Sequence, residues 1–167
     1  MLPAMNDWTV DLFRQNEWAN LTLIEACRAL DDAQLDATAP GTFGSIRDTL
    51  THIVSAEGGY AHRLGVEPSQ RLKWDDPWPG LDALAGMVSA AADALAAAGL
   101  GDPAATVKGG SPEQQYEIEA VVVLVQAFHH STEHRSQICT VLTTLGIEPP
   151  ELSSWDWGLA TGRMRAV

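Results

Sequence analysis

An all-α fold, four amphipathic helices packed as a four-helix bundle, is the architecture the sequence predicts, on three observations. Apolar residues recur at helical spacing through four long segments, those segments are separated by stretches rich in Gly, Pro and Asp, and no alternating run is long enough to build a sheet. At 167 residues the chain suits one domain spanning 1–167 and is too short to expect two.

The first helix reads from about Asp7 to Leu30, with Trp8, Leu12, Ala19, Leu23, Ala26, Cys27 and Leu30 on one face and Phe13 and Ile24 widening it. So wide an apolar surface predicts contact with more than one neighbour. Asp31-Asp32 and Pro40-Gly41 mark the loop that follows. The second helix opens near Ser45, an N-cap with Asp48 three residues on, where a carboxylate suits the positive helix end. Its apolar stripe is Ile46, Leu50, Ile53, Tyr60 and Leu64. His52 lies beside that stripe on a line with Thr49, Ala56 and Gly59, whose small side chains leave room for a ligand cavity. Glu57 falls within the stripe, where the residues allow either an exposed edge position or a carboxylate that hydrogen-bonds a metal-ligating histidine.

A long connection after Gly65 holds Trp74 and Trp78 between Asp and Pro residues, a lid, a pocket wall or plain core packing. The third helix runs from about Leu81 to Ala98 on Leu81, Leu84, Val88, Ala91 and Leu95. A second long connection, 99–115, is rich in Gly, Pro and Ser around Lys108-Gly109-Gly110-Ser111-Pro112; Tyr116-Glu117-Ile118 adds at most a short extended piece. The fourth helix is predicted from about Glu119 to Leu145, stopped by Gly146 with Pro149-Pro150 beyond. Ser153-Ser154-Trp155-Asp156-Trp157 predicts a short C-terminal capping helix.

Ten Lys+Arg against 22 Asp+Glu give a net charge of -12, which argues against nucleic acid and an anionic membrane surface as partners. The two cysteines, Cys27 and Cys139, fall in helical patterns and read as reduced, buried small hydrophobes. No Lys/Arg-plus-apolar leader opens the chain and no uninterrupted apolar run approaches membrane-spanning length, so a cytoplasmic home is expected.

The chemistry-bearing stretch is His129-His130-Ser131-Thr132-Glu133-His134-Arg135-Ser136-Gln137-Ile138. Residues four apart stand one turn above each other, so His130 and His134 can approach one point. They share a line with Val123, Ala127, Ile138, Val141 and Leu145, which faces inward. With His52 from the second helix they make a three-histidine set suited to zinc, nickel, copper or iron, leaving a coordination position open. The residues alone leave this reading level with the alternative, polar helix residues satisfied by neighbours, because Ser131 stands where a metalloprotease motif has its glutamate. His129 and His62 point elsewhere and read as surface residues.

Ser45-Ile46-Arg47-Asp48-Thr49-Leu50-Thr51-His52-Ile53 through Glu57, the stretch His130 to Ile138, Leu145-Gly146-Ile147-Glu148-Pro149-Pro150 and Trp18-Ala19-Asn20 together resemble the DinB/YfiT-like superfamily of metal-binding four-helix bundles. Ser136 stands where the family more often has Gly, a packing difference away from the proposed ligands. The resemblance implies His52, His130 and His134 as ligands of a divalent metal ion, zinc or nickel foremost, and a homodimer. It also implies an enzyme of small-molecule metabolism: a thiol S-transferase in which the metal activates a low-molecular-weight thiol, in a pocket walled by Trp74, Trp78, Trp155 or Trp157. A metal-dependent hydrolase and a non-catalytic metal- or ligand-binding stress protein are the alternatives. As general base, Glu57 and Glu133 are suggested only by their place in the sequence.

Overall fold

The computed structural model describes residues 7–111 and 113–165; Pro112, and the chain start on which the leader reading bears, lie outside them. It is mostly helical: α1 (Asp7–Cys27), α2 (Asp32–Leu35), α3 (Ile46–Arg63), α4 (Leu81–Gly99), α5 (Ala120–Thr144) and α6 (Ser154–Ala160), with a hairpin of β1 (Thr106–Ser111) and β2 (Gln114–Glu119) between α4 and α5. The four long helices fall where the hydrophobic periodicity puts them. α4 packs on α1 and α3, and α5 packs on α3 and α1, so the contacts run in the ring α1–α4–α3–α5.

The ends follow the local chemistry. Ser45 caps α3 by accepting from the Asp48 N–H at 3.0 Å, while Asp48 Oδ2 accepts the Ser45 N–H in return at 3.3 Å. Past the end of α5, Gly146 takes a φ of 73°, a left-handed turn that L side chains resist, and the Ile147 N–H closes onto the Leu142 carbonyl at 3.0 Å. Ser153 caps α6, which packs on α1, and the Arg163 guanidinium beyond it donates twice to Asp11 at 2.8 Å.

Three expectations are corrected. The connection between the third and fourth long helices folds as an antiparallel hairpin in which Val107 pairs Ile118 and Lys108 pairs Glu117. Alternation there is weak because both faces of the hairpin are mainly exposed, so no apolar face was required of the sequence. Trp8 and Leu145, placed on inward lines, are exposed at the helix ends. Finally, α4 is long and apolar enough to cross a membrane by length and composition, chiefly through its alanines.

The core divides in two. Leu23, Ile24, Ile46, Ile53, Leu84 and Ile138 belong to the larger cluster, and Phe13, Ala61, Leu95, Leu124 and Ala127 to the smaller. Between them, on α1, α3 and α5 alike, lies a polar layer: Asn16 and Asn20, Glu57, and Ser131 and Arg135, all buried. The functional residues occupy this level.

Candidate metal centre

Glu57 is the hub of the polar layer. It is wholly buried, which overturns the exposed-edge reading, and it touches none of the histidines by a hydrogen bond. Its Oε1 accepts from Asn16 Nδ2 at 2.6 Å and Asn20 Nδ2 at 2.9 Å, and lies 2.5 Å from Ser131 Oγ. The side-chain oxygens of the same asparagines accept from Arg135 Nη1, at 2.6 Å from Asn16 and 2.8 Å from Asn20. Two amides therefore relay a carboxylate to a guanidinium through hydrogen bonds rather than direct contact. Burial pushes the Glu57 carboxyl above its ordinary pKa, against the lowering effect of Ser131, Asn16, Asn20 and Arg135. The same burial lowers Arg135.

Ser131 and Arg135 each follow a histidine by one residue. A step of one residue turns about 100° on a helix, so the network side chains and the histidines project from α5 in different directions at the same height. His130 and His134 meet His52 of α3: one nitrogen from each ring lies within 4.8 Å of the other two. His52 Nε2 and His130 Nε2 are 2.9 Å apart, and the His134 ring centroid lies 4.6 Å from that of His52 and 4.4 Å from that of His130.

The tautomer of His134 is defined by its surroundings. Gln137 Oε1 accepts the Phe43 N–H at 3.0 Å, so it is the oxygen, and His134 Nδ1, also 3.0 Å from it, carries a proton. A metal ion at His134 would therefore be met by Nε2. Burial, followed by the charge of His134, lowers the pKa of His52, and burial with the charges of His134, His52 and His129 takes His130 down to about 4. Both rings are thus held neutral, the form that binds metal. Nitrogens bound to one tetrahedral ion at ~2.05 Å lie about 3.3 Å apart. The His52–His130 pair therefore needs a small opening to admit an ion. Among the described residues Nδ1 of each is buried without a partner, and a ligating ring carries its proton there. The donor set fits a divalent ion of borderline softness.

Phe43 stacks on His52, with centroids 4.2 Å apart and planes inclined by 14°, and Trp74 meets the same imidazole edge-on at 5.2 Å. These rings border a hollow of about 300 Å³ whose wall also includes Asp48, Thr51 and Ser55. Of the four tryptophans proposed as walls, Trp74 alone is there. Trp78 lies under the Arg47 guanidinium and against the larger core cluster, Trp157 under that of Arg163, and Trp155 is exposed on α6. Glu133 is exposed and Glu57 belongs to the network, so neither lines the hollow. His62 pairs with Glu67 and His129 is exposed, as expected. Sequence reasoning missed Phe43 and Asn16. Gln137 carried a signal, since three residues on from His134 is the same helix face.

Three imidazoles from two neighbouring helices, converging beside an aromatic-walled hollow, define a mostly helical protein with a site that can hold a metal ion. The chain belongs to the DinB family, whose model matches residues 5–157. It is similar in fold to the crystal structure of a DinB-like protein from Bacillus cereus ATCC 10987, at 17% identity and a TM-score of 0.67, over 86% of this chain and 94% of that one. No curated protein matches the sequence.

Proposed function

We propose that this DinB family protein is a metal-dependent enzyme of the thiol S-transferase kind, with His52, His130 and His134 holding zinc or nickel. The observation that carries the reading is that His52 belongs both to the three-histidine cluster and to the wall of the hollow, while the cluster has no fourth His, Cys, Asp or Glu member among the described residues. Three protein ligands would leave a bound ion a position for substrate or water. A divalent ion held by His52, His130 and His134 would lower the pKa of a thiol bound to it, making a thiolate available at neutral pH. Phe43 and Trp74 hold the electrophilic partner by stacking and keep water from one side of it. The sulfur forms its bond to the electrophilic carbon as the leaving group departs with the bonding pair. The thiol proton passes to solvent.

We read the ring of long helices as a four-helix bundle with long second and third connections, working in the cytoplasm as a homodimer. The free thiols of Cys27 and Cys139 support a reducing home. Exposed Val121, Val122 and Val125 on the first turns of α5 support a subunit contact there, rather than on α1, whose apolar face α4 and α5 cover.

The test is conjugation of small thiols to monochlorobimane by zinc- or nickel-loaded protein. The metal-loaded protein is expected to exceed the free ion at equal concentration, and His130→Ala to remove the excess. Equal rates for protein and free ion across the thiols would overturn the transferase reading.

A further inference from the structure

Across Ser55 and Trp74 from the histidine-side hollow lies a second hollow of about 270 Å³, and both residues line both spaces. The two differ in chemistry. Among the described residues the histidine-side wall has no Lys or Arg, whereas the second is lined by Arg71 and Lys73, with Ala56 and Gly59 of α3 also on its wall.

Several features argue that these cations are placed there for a ligand. The chain has only 10 Lys+Arg against 22 Asp+Glu, and Arg14, Arg28, Arg47 and Arg163 are each taken up by carboxylates. Among the described residues Arg71 meets one carboxylate, Glu67, through Nε at 3.1 Å, and the Lys73 ammonium meets none. Leu72 between them is buried in the larger core cluster and anchors the segment, while its two neighbours face the same hollow. Gly58 lets the Arg71 stem lie close on α3, since a Cβ there would come within 2.9 Å of Arg71 Cγ, and Gly59 on the wall leaves open space, a Cβ there meeting nothing within 4 Å.

We propose that the two hollows form one bipartite groove, in which the reacting thiol end of a ligand lies at the histidines and an anionic group at its far end, carboxylate or phosphate, is held by Arg71 and Lys73. Trp74, exposed on the shared rim, covers the middle of the ligand. An uncharged thiol can still reach the histidines but loses the charge-assisted hydrogen bonds at the far end. This inference rests on the thiol reading of the histidine site.

The experiment uses full-length protein loaded with Co(II), whose sulfur-to-cobalt charge-transfer absorption reports thiol binding without turnover. Two matched pairs are titrated: glutathione against its diethyl ester for a carboxylate, and 4′-phosphopantetheine against pantetheine for a phosphate. The anionic member of at least one pair is expected to bind about ten-fold more tightly. The pair that shows it identifies the anion. Lys73→Glu should abolish that preference, and Gly59→Leu, which fills the second hollow, should weaken the anionic thiol, with cobalt content unchanged in both. Equal affinities within both pairs, or a preference that survives Lys73→Glu, would overturn the groove while leaving the thiol reading in place. Cobalt-loaded protein that develops no thiolate band with any of the four compounds would bring down the thiol reading and the groove together.

Discussion

Replacing Glu57 by alanine tests whether the buried network holds the middle of the molecule together. Three groups, the Asn16 and Asn20 amides and the Ser131 hydroxyl, lie within hydrogen-bond distance of Glu57 Oε1 in a site with no exposure. Each buried donor left without a partner costs about 1–3 kcal/mol, and Arg135 loses the carboxylate to which the asparagines relay it. Removing one partner of a buried charge pair typically costs about 3–5 kcal/mol, and relaxation into the vacated space brings the sum of the donor losses into the same range. For a chain of this length ~4 kcal/mol corresponds to a melting temperature lower by about 10 °C. Glu57→Gln keeps an acceptor for the same three donors and should lose less than half as much. Because burial raises the Glu57 pKa above 4.5, the wild type is penalised as pH climbs from there through the raised value, whereas glutamine is not. The gap between wild type and Glu57→Gln should therefore narrow with rising pH. Urea unfolding followed by circular dichroism at 222 nm reads both quantities. A Glu57→Ala protein within about 1 kcal/mol of wild type would refute the hub role.

His130, lowered from 6.5 to about 4, contributes stability that is present above the unfolded value and lost as pH falls towards the folded one. Metal-free wild type should lose more stability than His130→Asn between pH 6.5 and 4 in the same unfolding assay. Burial takes the Cys27 thiol up to about 12 and raises that of Cys139, so both should react with a disulfide reagent at pH 8 far more slowly in native than in urea-unfolded protein. Val122→Asp with Val125→Asp should convert a dimer into a monomer by light scattering; an unchanged mass would move the subunit contact elsewhere.

The periodicity of the long helices was legible because each buries one face against neighbours, and Ser45 and Gly146 marked ends by local chemistry. His52, His130 and His134 were legible for the same reason, since helical spacing decides which rings share a face. What stayed hidden depends on crossing distances between helices. Whether Glu57 is exposed or buried turns on Asn16, 41 residues away, and whether Phe43 covers an imidazole turns on a loop conformation secured by Gln137. The hairpin escaped because an exposed two-stranded ribbon needs no apolar face. The membrane-length helix was overlooked because its length is made of alanine rather than of large apolar residues.

The three-histidine metal centre is tested most directly by X-ray absorption on zinc-loaded protein, with metal content measured on the same samples. One ion per chain is predicted, with three imidazole nitrogens at about 2.0–2.1 Å and one light-atom ligand from solvent, falling to sub-stoichiometric metal in each of His52→Ala, His130→Ala and His134→Ala. Full metal content in all three variants, or a fourth protein ligand closing the site, would contradict it.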